Sequence, residues 1–341
     1  MKKILLFLFL IFLNKSVFSY SLFNTSFYNV EFISNNIDDE KIKKINEIKK
    51  NSILNILKQT LNSDQFIKLK NNLSDDLINT FVKNVIIEDE KIIENKYLSK
   101  IKINFDKKEI IKFYRYKKIP YIEYLPDKIL LVIVEENELN YNLFSKNNNF
   151  YSFYNNSLKN KNIFKIPNLD INDRYILKKE HIDNRNIKKI SDFSKKYSLN
   201  DIIFVTAKIS NNKAQYKLAL YSDGIITEKK LNFDKYEFKE FFKILENETI
   251  NIWKKVNQIQ NNSLNVINCN LNYFNILELN QIRNNFDNVS IIQNTNIKSI
   301  SYKNIEYDIY FYGNLKLLIK IFNLNQLKIN EIHNNCTIRL K

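Results

Sequence analysis

The chain has 341 residues and a formal net charge of +16, and 44% of its residues are apolar, with 25 Phe and 20 Tyr among them. That content builds real cores, so global disorder is excluded, and the length suffices for two or three domains of ordinary size. Only two Gly and two His occur, which leaves no way to write a P-loop, a GxGxxG dinucleotide turn, an HExxH zinc helix or a GxSxG nucleophile elbow.

Met1, Lys2 and Lys3 make a short positive start, and an unbroken apolar run follows from Ile4 to Leu13. Val17 and Ser19 are small enough for the −3 and −1 positions of a cleavage site, so the segment reads as a signal peptide cut at Ser19–Tyr20. About ten helical residues rise only ~15 Å, half of a ~30 Å hydrocarbon core, which is too short to span. No Cys lies near the cut and no second long apolar run follows. The expectation is a soluble mature protein, periplasmic or secreted.

Phe27 to Ile33 alternates weakly as a first strand, and Asp38–Asp39 opens a helix whose stripe is Ile45, Ile48, Ser52, Ile53, Ile56, Leu57 and Leu61. A polar helical segment at 63–83 leads to Val85–Ile87 and Ile92–Ile93. Tyr97, Ser99, Ile101, Ile103 and Phe105 then share one face of a strand. Asp106 with Glu109 reads as a capping box for a helix through Tyr114, ended by Pro120 and Pro126.

Asp127 to Val134 is the continuous apolar run of a strand buried on both faces. Residues 137–163 show little periodicity and read as loop with short elements. A helix carrying Ile187, Ile190, Phe193 and Tyr197 leads into a strand at 202–209. Strands at 215–221 and 225–231 join through Asp223–Gly224, and a helix over 235–259 buries Phe241, Phe242, Leu245 and Trp253 as core. The last part reads as strand 264–269, helix 272–286, strands 289–294 and 297–312, helix 314–323 and strand 336–340.

The chain therefore divides into a signal peptide (1–19), an N-terminal α+β domain (20–126), a middle α/β domain with a closing helix (127–260) and a C-terminal domain (261–341). The fold class is α+β or α/β in three small modules, the last ferredoxin-like with the order βαββαβ. In that order the first and fourth strands are antiparallel neighbours. Cys269 ends the first and Cys336 begins the fourth, and export places both in an oxidising compartment, so a Cys269–Cys336 disulfide is expected.

Nearly all the positive charge is Lys, since Arg occurs only as Arg115, Arg174, Arg185, Arg283 and Arg339. Lys, Asn, Ile, Phe and Tyr share A/T-rich codons, so genome composition accounts for the basicity, and export argues against a nucleic-acid partner. A peripheral contact of the Lys-rich surface with membrane or cell wall stays open.

Asp170, Asp173 and Asp183 with His181 form the best polar cluster. Such carboxylates bind a hard cation or act as acid or base beside an imidazole. Their spacing equally suits turns and helix caps. Asp170, Asp173 and His181 are thus the candidate ligand-binding residues, and no catalytic residue, metal or cofactor is assigned. His333 lies in an Asn-rich turn, and Gly313 stands where a strand passes into a helix start, a place that permits a turn or holds an anion.

Three stretches resemble a known family. They are Asn104-Phe105-Asp106 before a helix, Pro167-Asn168-Leu169-Asp170-Ile171-Asn172-Asp173, and Tyr312-Gly313-Asn314-Leu315 with Leu318. Together with Pro120 and the Leu130–Val134 strand, they are similar to the bacterial "domain of unknown function 2066" family. The resemblance implies an exported envelope protein of Gram-negative bacteria without an established activity. The middle part is also similar to small α/β envelope domains that bind other proteins, such as the N-terminal domain of the translocation protein TolB. The function expected is a non-enzymatic module that contacts another envelope protein; the alternative is an envelope small-ligand binder or hydrolase using the Asp170/Asp173/His181 region.

Overall fold

The computed structural model describes residues 22–137, 140–158, 163–210, 213–233, 237–332 and 335–341. Residues 1–19, read from the sequence as a signal peptide, and His333 lie outside the described residues. The class is mixed α+β, with three sheets. The chain forms two compact units: one contains the described residues up to Glu123 together with Ile259–Lys341, the other is Tyr124–Gln258. The N-terminal and C-terminal segments thus share one unit, and the segment between them forms the other.

The first unit begins with β1 (Tyr28–Ile33), α1 (Ile37–Thr60), α2 (Ser63–Lys70), α3 (Asp75–Phe81), β2 (Val82–Ile93), β3 (Lys96–Phe105) and α4 (Lys107–Tyr116). The strands pair antiparallel in the order β1-β3-β2. The alternation in β3 does what its period requires: Tyr97, Ser99, Ile101, Ile103 and Phe105 are buried, while the intervening side chains are not. Ile48, Ile53, Ile56 and Leu57 form the buried stripe of α1, and Asn36 caps that helix one turn ahead of its acidic first turn. Asp106 caps α4 by accepting the Lys108 and Glu109 N–H groups.

The second unit runs β4 (Ile129–Glu136), β5 (Tyr141–Asn142), α5 (Asn149–Ser157), β6 (Phe164–Lys165), α6 (Ile171–Ile176), α7 (Lys179–Asp183), α8 (Ile187–Lys196), β7 (Asp201–Ser210), β8 (Lys213–Ser222), β9 (Ile225–Phe233) and α9 (Phe238–Asn257). Its sheet has the order β5-β4-β7-β8-β9, with β6 beside β4. Ile129 to Val134 is fully buried and pairs parallel with β7, as its unbroken apolar run demands. Asp223 and Gly224 both have positive φ, 49° and 88°, which fits a two-residue hairpin. Helix α5 falls in the stretch that shows little periodicity; Asn148 caps it, and it buries Phe150, Tyr151 and Tyr154.

The chain then returns to the first unit with β10 (Leu264–Asn272), α10 (Ile276–Asp287), β11 (Ile292–Ser301), β12 (Asn304–Tyr312), α11 (Leu315–Leu324), β13 (Leu327–Ile332) and β14 (Asn335–Leu340). The sheet order is β11-β12-β10-β14-β13. This corrects the ferredoxin-like order. An additional strand, β13, follows α11, and the sequence-final strand inserts between it and β10, parallel to β10. The hairpin of β11 and β12 turns at Tyr302–Lys303, not at 295–296.

Cys269 and Cys336 form a disulfide, with Cα atoms 4.4 Å apart. The pairing is the one expected, but the geometry is not: the two residues face each other in a parallel ladder rather than at the meeting ends of antiparallel strands. A backbone bond from Ile259 N–H to Tyr121 O also ties the two segments of this unit together.

Candidate functional site

The sequence singles out 166–173, and in the second unit this segment is both a clamped turn and a cavity wall. Asp170 caps α6, its carboxylate accepting the Asp173 N–H at 2.9 Å. That bond, helped by Lys196, holds the Asp170 carboxyl below the usual carboxylate range. The Asp173 side chain is 0% exposed. Its Oδ2 accepts the Leu169 N–H at 2.9 Å, and its Oδ1 accepts both the Tyr197 hydroxyl and the Lys196 ammonium at 2.6 Å.

The Tyr197 hydroxyl in turn accepts the Asn168 N–H at 2.9 Å. Burial, with Asp173 beside it, pushes that phenol well above its ordinary range. These bonds converge on Leu169, whose φ of 60° is left-handed for a branched side chain. A backbone so placed persists only when its surroundings fix it. Three donors thus hold the Asp173 carboxylate, which braces the turn.

His181 has other partners. Its Nδ1 accepts the Lys178 N–H at 3.1 Å, which puts its proton on Nε2, 3.6 Å from Glu180. Asp183 pairs with Lys179 at 2.6 Å. The structure therefore brings Asp170 and Asp173 together through Lys196 and commits His181 and Asp183 to the short helix α7. Among the described residues, no group of three or more His, Cys, Asp and Glu is placed to hold a metal ion. Gly313, with φ 83°, passes the chain into α11, and its carbonyl accepts Asn265 at 2.5 Å; Asn314 caps the helix.

Beside the clamp lies a cavity of about 780 Å³. Asn168 and Leu169 form one wall and α5 another, through Tyr151, Ser152, Tyr154 and Asn155. Lys128, Lys146 and Lys165 also line it, and among the described residues no carboxylate does. Lys165 lies 5.5 Å from the Tyr197 ring centre, on the clamp itself. The sequence marks only the 166–169 wall of this cavity; the α5 wall and the three lysines come from segments with no chemical signature, joined to it only by folding. No helix among the described residues is long and apolar enough to cross a membrane.

No protein-family model matches the chain, and no curated protein matches it. A solved structure similar to part of it is the LpoB C-terminal domain from Salmonella enterica, at 12% identity and a TM-score of 0.23, covering 38% of this chain and 95% of that one.

Proposed function

We propose that this chain is a non-enzymatic protein of the bacterial cell envelope that holds another envelope protein through its first unit. The observation that carries the reading is an apolar cluster at one end of the β10–β14 sheet. Phe274 and Tyr302 are 77% and 87% exposed, and Ile276, Leu277 and Ile300 are exposed with them. The Tyr273 N–H donates to Lys303 O, so the loop before α10 and the β11–β12 turn lie side by side. Isolated exposed apolar residues need no explanation, but large ones gathered at one place mark a contact surface.

The signal-peptide pattern of residues 1–19, the resemblance at 104–106, 167–173 and 312–315, and a disulfide suited to an oxidising compartment support the envelope part of the reading. The engagement of Asp170, Asp173 and His181 in caps and braces supports the non-enzymatic part. In cells, a photo-crosslinking side chain at position 274 or 302 is expected to give one defined protein adduct, and the same group at exposed Asn284 none. Adducts absent at both positions, or equal at all three, would remove the reading. A second reading, small-ligand binding in the second unit, is favoured by the lysine-lined cavity beside Asn168.

A further inference from the structure

Helix α4 places Lys107, Ile111 and Arg115 at four-residue spacing on one face, with Lys108 and Lys112 beside them. That face borders a cavity of about 750 Å³ within the first unit, closed on the other side by the turn between α10 and β11. Five cations line it, Lys83 being the fifth, against two acids, Asp106 and Asp287. Asp106 is already used as the α4 cap. Lys107 pairs with Glu123 at 3.3 Å and Lys112 with Glu109 at 3.5 Å. Lys83, Lys108 and Arg115 have no carboxylate within ion-pair distance among the described residues.

Arg115 is the built part of this wall. One guanidinium nitrogen donates to the carbonyls of Ser290 and Ile292, and the group lies 4.8 Å from the Tyr312 ring centre. Those contacts fix the plane of the fork without neutralising its charge. Its Nε and the Ser290 hydroxyl are buried and have no hydrogen-bond partner. The Tyr121 hydroxyl is buried between the two and interacts with both. A fixed guanidinium with free ammonium groups near it matches a tetrahedral oxyanion. Phe105, Ile111, Val289 and Ile292 supply an apolar lining next to the charge.

We propose that this cavity binds a phosphate ester carried on an apolar body, with Arg115 as the fixed fork and Lys83 and Lys108 as mobile counter-charges. The ester comes either from a lipid headgroup or from a soluble organic phosphate. The test uses the full chain with hexyl phosphate, inorganic phosphate, short-chain phosphatidylglycerol below its micelle concentration, and vesicles with and without phosphatidylglycerol, read by calorimetry and flotation. Hexyl phosphate is expected to bind more tightly than inorganic phosphate, because only the former fills the apolar lining.

Arg115→Lys is expected to weaken binding by roughly tenfold, since an ammonium lacks the planar fork. The double variant Lys83→Gln/Lys108→Gln touches only exposed, unpaired side chains and keeps the fold, and it is expected to weaken binding by a similar factor. Binding to phosphatidylglycerol vesicles together with the short-chain lipid supports the site with a lipid source; binding to hexyl phosphate alone supports it with a soluble source. No binding of either ester, or binding unchanged in the double variant, overturns the proposal.

Discussion

Replacing both cysteines by Ala tests the centre of the first unit. Cys269 and Cys336 are 67 residues apart, and the loop they close contains α10, β11, β12, α11 and β13. In the chain-entropy model a loop of that length contributes about 4 kcal/mol by restricting the unfolded chain. Both side chains are buried, in neighbouring strands at the middle of a five-stranded sheet, so the folded sheet keeps its ladder when the bond is lost. For a unit of roughly 200 residues, 4 kcal/mol corresponds to a fall in Tm of about 8–16 °C. The assay is thermal unfolding followed by circular dichroism at matched protein concentration. Each single variant is expected to lose nearly as much as the double, because either substitution opens the same loop. A double variant within about 1 °C of the parent would refute the reasoning, as would two alkylated cysteines in native protein never exposed to reductant.

Asp173→Ala in the second unit removes a buried carboxylate that three donors share; it is expected to cost about 3 kcal/mol in urea unfolding, and Tyr197→Phe about 2 kcal/mol. Equal stability of Asp173→Ala and the parent would show that the clamp does not brace the turn. Glu123, whose side chain is only 4% exposed, is raised above its ordinary value of 4.5 by burial, which outweighs the opposing pull of Lys107 and Arg115. The folded chain therefore holds this proton more tightly than the unfolded chain does. Its contribution to stability is present below the unfolded value and is lost as pH rises through the folded one. Glu123→Gln is expected to match the parent in Tm at about pH 4 and to gain on it as pH rises toward about 8; a gap that shrinks with pH would reverse the sign of the argument.

Periodicity made much of this fold legible where one force dominated. The run at Ile129–Val134 and the alternation of β3 carry their burial in the residue pattern itself. Asp223–Gly224 carries its turn in residue types that tolerate positive φ. The Tyr302–Lys303 turn has no such mark: Lys303 adopts φ 58° although lysine has no preference for that region, so the polar triplet Asn294–Asn296 looked like the break instead. Strand β13 was missed for a related reason. Leu327 and Ile329 alternate, but two apolar positions beside an Asn-rich stretch are too few to separate a strand from a loop. At the candidate site, the cap role of Asp170 was readable from its place before a helix. The burial of Asp173 was not, because its partner Tyr197 lies 24 residues away on another helix.

Arginine usage separates the compositional charge from the structural charge. A genome rich in A/T codons fills solvated positions with lysine, and a lysine there does nearly everything an arginine does. Two of the five arginines stand instead where a fork is needed. Arg174 reaches Phe144 O through both Nε and Nη2, and Arg185 meets Glu228 through two nitrogens at 3.0 and 2.8 Å. An ammonium makes neither contact in the same way. Arg115 differs from both: a single nitrogen donates to two carbonyls, and the group lies against the Tyr312 ring. Its charge is positioned at the wall of a cavity with no carboxylate within ion-pair distance among the described residues, Glu123 acting on it only from farther off, and it is this difference, not the count of +16, that points to an anion.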